Sequence, residues 1–174
     1  MLNAGTILVV DDDENDLLML ERALQEAGVA NPVQTLHDGN EAIQYLKGEG
    51  PYSDREKSPL PCLMLLDLKL PQCNGFQVLD WRRNQQDLRH FPIIILSGSN
   101  LQTDIQRALE LGATAYCEKP VGLNRLILMA KELREQCLER DAEPRSARFL
   151  QWSSAAIVTW AWVCTLIDEC ADVY

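Results

Sequence analysis

Two rhythms of hydrophobic positions alternate along the chain. Short, mostly apolar runs are followed by longer stretches in which apolar residues recur three or four positions apart. The first rhythm belongs to strands buried on both faces and the second to amphipathic helices, so their alternation predicts βαβ units feeding a parallel sheet. Five runs read as strands: Thr6–Val10, Val33–His37, Cys62–Asp67, Pro92–Ser99 and Thr114–Pro120.

The helices are expected between and after these runs. Leu17, Leu20, Leu24 and Ala27 space the first before Gly28 stops it, and Asp13 or Asn15 is placed to cap its start. Ala42, Ile43 and Leu46 mark one face of a short second helix. The third covers 76–85, with Trp81 as a packing residue, and the fourth covers 101–113 and is closed by Gly112. The fifth covers 122–138 with Leu126, Met129, Ala130 and Leu133 inward. Residues 48–61 carry Gly, Pro and charges without periodicity and read as a surface loop or a partner-binding insertion.

Composition narrows the function classes. Of 174 residues, 47% are hydrophobic and 24% charged, the balance of a packed globular domain rather than a disordered chain. The formal net charge of −10 opposes nucleic-acid phosphates, so no direct DNA binding is expected. Six cysteines are scattered without a C-x-x-C pair, and the N-terminus lacks the pattern of a secretory leader, which predicts a cytoplasmic protein with reduced thiols. His37 and His90 have no acid or cysteine at ligand spacing and read as structural.

Chemistry collects where strands end, which is where open parallel sheets bind ligands. The first strand ends in Asp11, Asp12 and Asp13, the third in Asp67, the fourth in Ser97, and the fifth in Lys119 followed by Pro120. An isolated acidic strand end is usually a solvated turn or a helix cap. Polar residues at four strand ends together point elsewhere. Clustered carboxylates need positive charge. Mg²⁺, which takes one or two carboxylates with water and phosphate oxygens, suits Asp12 and Asp67, with Asp11 holding a coordinated water. The Asp67 carboxylate could then act as a nucleophile toward phosphorus while Mg²⁺, Lys119 and Ser97 neutralise the equatorial oxygens.

The segments "VVDDDEND", "LLDLKLPQCNG", "ILSGS" and "EKP" resemble the receiver domain of two-component response regulators over Ala4 to Leu138, and the Asp67–Ser97 and Ser97–Lys119 intervals are those the family keeps. The resemblance implies a doubly wound, CheY-like sheet of order 2-1-3-4-5 with helices on both faces, spanning a receiver domain over 1–140. It implies metal ligation by Asp11, Asp12, Asp67 and the backbone carbonyl of Lys69, with Mg²⁺ as cofactor. Asp67 becomes the phosphoacceptor, Lys119 the phosphate-sensing lysine, and Ser97 and Tyr116 the switch pair that reshapes the face made by helix four, strand five and helix five.

The same resemblance implies a cis Lys119–Pro120 bond, which costs only about 0.5–1 kcal/mol for X–Pro. Gly98 stands where relatives usually carry a small residue, often alanine, and Lys69 and Ser99 stand where relatives tune self-hydrolysis of the phosphoryl group. The loop before strand three, with "YLKGEGPY" and "LDLKLP", is similar to single-domain receivers paired with bacterial phytochrome-type histidine kinases, which makes such a kinase the expected partner. Two readings from other classes stand beside this one. A phosphohydrolase on the same sheet needs a second acid two positions after the nucleophile, where this chain has Lys69. A pseudo-receiver acting only as a binding module would have lost an acid, the hydroxyl or the lysine, and all are present.

The remaining residues, 141–174, form a linker and an apolar C-terminal tail. Phe149 to Ile167 carries no charge and follows several arginines. It reads as an extra helix docking on the receiver or on a second copy in a homodimer, as a weak membrane span with the receiver in the cytoplasm, or as a poorly ordered or non-native reading-frame tail.

Overall fold

The runs expected as strands pair into one parallel sheet in the order β2-β1-β3-β4-β5. They are β1 (Ile7–Val10), β2 (Val33–Leu36), β3 (Leu63–Leu66), β4 (Ile93–Ser97) and β5 (Ala115–Glu118). The computed structural model describes residues 5–88 and 90–138. Every residue of β1, β3 and β4 is buried, as unbroken apolar runs require of central strands covered on both faces. The edge strands tolerate polarity: Gln34 and Thr35 of β2 are half-buried and Glu118 of β5 is exposed.

Alternate strand residues feed two cores. One face packs Leu8, Val10, Met64, Leu66, Ile93 and Ile95 against α2 (Gly39–Lys47), α3 (Gly75–Arg83) and α4 (Gln102–Glu110). The other packs Ile7, Val9, Leu63, Leu65, Ile94 and Leu96 against α1 (Glu14–Glu26) and α5 (Leu123–Leu133). All four residues expected inward on α5 are buried. On α2 the inward residues are Ala42, Tyr45 and Leu46, with Ile43 at the margin, because Tyr45 lies under the following loop.

Helix starts follow local chemistry. The Asp13 carboxylate accepts the Asn15 and Asp16 amides, Asp38 does the same for α2, and Asn74 with Gln77 forms a reciprocal capping box on α3. Helices α4 and α5 differ, with Leu101 and Gly122 at their N-caps offering no side-chain acceptor, and Ala108 is the one fully buried residue of α4. The Arg107 guanidinium stacks 4.4 Å from the Phe76 ring centre and ties α4 to α3.

Residues 48–61 are folded rather than loose. A 3₁₀ turn at Gly50–Tyr52 brings the Tyr52 ring to 5.1 Å from that of Tyr45 in a tilted contact, and the Arg55 guanidinium donates to the carbonyls of Tyr45, Leu46 and Ser58, which closes the C-terminal end of α2. At the far end, α5 widens into a π-helical turn over Arg134–Leu138, and Arg134 bonds the Ala27 carbonyl after α1. The residues of the apolar tail lie outside those described. Among the described residues no helix is long and apolar enough to cross a membrane.

Candidate functional site

Strand register builds the site. Val10 pairs with Leu36 on one side and Leu66 on the other, and Leu66 pairs with Ile95, so the carboxyl ends of β1 and β3 are level. The ladder continues one residue further: the Asp67 amide donates to the Val10 carbonyl at 2.9 Å and the Asp11 amide to the Leu36 carbonyl at 3.0 Å. Ser97 pairs with Glu118, and the Lys119 amide donates to the Ser97 carbonyl at 2.9 Å. Four segments distant in sequence therefore deliver their polar side chains to one edge.

The Lys119 ammonium lies 2.6 Å from Asp11 Oδ2, 2.8 Å from Asp16 Oδ2 and 3.1 Å from Asp67 Oδ2. Asp11 and Asp67 are almost fully buried, whereas Asp12 is exposed, and one oxygen from each of these three acids falls within 4.8 Å of the others. The second oxygens are held from the backbone: Asp11 Oδ1 accepts the Asp13 amide at 3.1 Å and Asp67 Oδ1 accepts the Lys69 amide at 3.3 Å. Gly75 lies hard against the Asp67 backbone, and a Cβ there would run into the Asp67 carbonyl oxygen and Leu68 Cα.

Burial pushes the Asp11 carboxyl above its ordinary value, and the contact with Lys119 offsets that only in part. Burial alone would lower the Lys119 ammonium, but the surrounding carboxylates of Asp11, Asp16 and Asp67 outweigh it and hold its pKa above the usual lysine value. Asp13 moves the other way, lowered by the amides it caps.

Ser97 is fully buried, and its hydroxyl interacts with the Tyr116 hydroxyl but makes no well-formed hydrogen bond. A buried unsatisfied hydroxyl costs about 1–3 kcal/mol, so its place beside the acids suits a group that brings acceptor oxygens. The acids in turn suit a hard divalent cation: oxygen donors alone, gathered on a rigid sheet edge, with an exposed member open to solvent. Tyr116, half-buried, does not touch the acids. Its hydroxyl donates to the Ser99 carbonyl at 2.8 Å, and Ser99 Oγ donates to Asp104 at 2.6 Å, which pins the loop between β4 and α4.

The sequence placed Asp11, Asp12, Asp67, Ser97 and Lys119 at one edge, and they are there. Asp16 was missed. Five positions after Asp11, it looks like an acid in a helix first turn, and nothing local marks Lys119, 103 positions away, as its partner. The expected cis Lys119–Pro120 bond is corrected: no peptide among the described residues is cis. The two X–Pro isomers differ by only about 0.5–1 kcal/mol, so local sequence does not select one, and in the trans form Lys119 already reaches three carboxylates.

Comparison with known proteins agrees with this geometry. The family described as the response regulator receiver domain matches residues 7–131. The chain belongs to that family. Response regulator Rcp1 of Synechocystis sp. (strain ATCC 27184 / PCC 6803 / Kazusa) is 32% identical over 133 residues, covering 76% of this chain and 88% of its own.

The crystal structure of the Mn²⁺-bound form of Rcp1 superposes with a TM-score of 0.71 at 31% identity, covering 80% of this chain and 99% of that one. The phosphorylated cyanobacterial phytochrome response regulator RcpA gives 0.73 at 32% identity, with 80% and 98% covered. The bacteriophytochrome response regulator AtBRR gives 0.64 at 34% identity, again with 80% and 98% covered. The fold is thus the CheY-like receiver, and the chain is a homologue of regulators from phytochrome two-component systems.

Proposed function

We propose that this receiver takes a phosphoryl group from a histidine kinase onto Asp67, with Mg²⁺ as cofactor, and signals through a change of its surface in the cytoplasm. The observation that carries the reading is a buried Asp67 carboxylate 3.1 Å from the Lys119 ammonium, beside a buried Ser97 hydroxyl that makes no well-formed hydrogen bond. A carboxylate oxygen of Asp67 attacks phosphorus, the bond from phosphorus to the kinase imidazole breaks, and an acyl phosphate remains on Asp67.

Asp11, Asp12, Asp67 and the Lys69 backbone carbonyl would hold Mg²⁺, which when bound supplies positive charge against the crowded acids and the incoming phosphoryl oxygens. Lys119 donates to one phosphoryl oxygen and Ser97 to another, which satisfies the hydroxyl that makes no well-formed hydrogen bond in the unphosphorylated protein. Ser97 turning toward the phosphoryl group shifts the β4–α4 loop that Tyr116 grips through the Ser99 carbonyl, and so alters the face made by α4, β5 and α5.

The chain acts as a phosphoacceptor and not as a turnover enzyme. The position where a phosphohydrolase carries its second acid holds Lys69, which is exposed. The receiver occupies 1–140, with 141–174 appended to it. The likeness to RcpA and AtBRR supports a phytochrome-type kinase as phosphodonor.

Treatment with acetyl phosphate and Mg²⁺ tests the reading by intact mass. The wild-type protein gains one phosphoryl group, and the gain disappears on chelating the metal or in Asp67→Asn. A protein that takes no label, or labelled Asp67→Asn, overturns it.

A further inference from the structure

The Lys119 ammonium has three N–H donors and faces three carboxylates. Two of them, Asp11 and Asp67, are buried members of the acid cluster that includes Asp12. Asp16 is neither: its side chain is 46% exposed, and its carboxylate is not among the oxygens gathered within 4.8 Å. The start of α1 does not need that carboxylate, since Asp13 caps the helix and accepts the Asp16 amide itself. Asp16 is therefore well placed to serve the lysine.

We infer that Asp16 is a positioning residue for the phosphoryl transfer: it anchors the Lys119 ammonium at the rim, beside Asp67, when Asp11 and Asp67 turn their oxygens to a cation or a phosphoryl group. The inference rests on Asp67 being the phosphoacceptor. A lysine side chain carries about 2 kcal/mol of rotamer entropy. One acid outside the acceptor set keeps the ammonium from swinging into water once its buried partners are occupied. An acid that merely competed for the lysine would have the opposite effect, because removing it would speed the reaction.

A double-mutant cycle separates these cases. Acetyl phosphate labelling rates at saturating Mg²⁺ are compared for wild type, Asp16→Asn, Lys119→Gln and the double variant. Asp16→Asn slows labelling roughly two- to fivefold, the range expected of a half-exposed ion pair. The further loss vanishes in the Lys119→Gln background, and Asp16→Glu restores most of the rate. An equal loss in both backgrounds, an unchanged rate or a faster one overturns the inference.

A second readout needs neither metal nor phosphodonor. Nitrogen-15 spectra of the lysine ammonium groups in metal-free protein show one slowly exchanging signal that is absent from Lys119→Gln and lost or broadened in Asp16→Asn. If wild-type protein takes no label, the Asp67 reading fails, and the ammonium spectrum alone decides the anchoring: an undisturbed signal in Asp16→Asn rejects it.

Discussion

Replacing Lys119 by alanine should destabilise the metal-free protein, and the structure sets the size of the effect. Removing one partner of a fully buried ion pair costs about 3–5 kcal/mol, because the remaining charge is left without compensation. Asp11 and Asp67, at 4% and 6% exposure, are that buried. The Lys119 side chain is 20% exposed and Asp16 opens to solvent, so water screens part of the loss. The expected cost is therefore about 2–3 kcal/mol. Urea unfolding without divalent ions at neutral pH should show a midpoint lower by roughly 1–3 M, given a slope of about 1–3 kcal/mol/M for a small domain.

Two dependences follow from the sign of the titrations. The folded pKa of Lys119 lies above its ordinary 10.5, so its contribution is complete below that value and lost as pH rises through the higher folded one. The folded pKa of Asp11 lies above its ordinary 3.8, so its charged form costs stability at neutral pH, and the cost fades as pH falls through the folded value. Lys119→Ala should therefore recover toward wild type in acid. It should also recover on adding Mg²⁺, since the cation meets the same carboxylates. A variant as stable as wild type at neutral pH without divalent ions, and indifferent to Mg²⁺, would refute the reasoning.

Ser97→Ala removes a buried hydroxyl that makes no well-formed hydrogen bond, so the unphosphorylated protein should lose little or no stability in urea unfolding while its acetyl phosphate labelling slows. Arg55→Ala removes hydrogen bonds to the carbonyls of Tyr45, Leu46 and Ser58 and should cost about 2 kcal/mol in the same assay, leaving labelling of the folded protein unchanged.

The strands were legible because central parallel strands leave a clear mark, β1 and β3 being apolar throughout and β4 apolar up to Ser97, whereas their order came only from the resemblance to receivers. Helix faces were legible where spacing alone sets them, as on α5. Contacts made at a distance were not. Arg55 sits in a stretch without periodicity, and only the folded chain brings its guanidinium to the end of α2. Leu101, expected as the first residue of helix four, is its exposed N-cap, because no capping side chain marks where that helix begins. The acids at the strand ends were visible as a coincidence of registers, but the reach of Asp16 to Lys119 depends on how α1 packs beside α5 on one face of the sheet.

Local rules hold through most of the chain and are broken together at one edge of the sheet. There, carboxylates crowd, a lysine spends all its donors, and a serine hydroxyl makes no well-formed hydrogen bond. Conflicts of this kind collect at functional sites, where another group is needed to resolve them. A phosphoryl group on Asp67 would offer acceptor oxygens to Ser97 and Lys119 at once. The response should pass into the element with the least to lose. Helix α4 has no side-chain cap and a single fully buried residue, and it begins beside the loop held by Tyr116, Ser99 and Asp104. Moving a helix so lightly packed costs less than moving α1 or α5, each of which buries four residues. Under the proposed role of Asp67, α4 is therefore the part of the surface expected to move most readily.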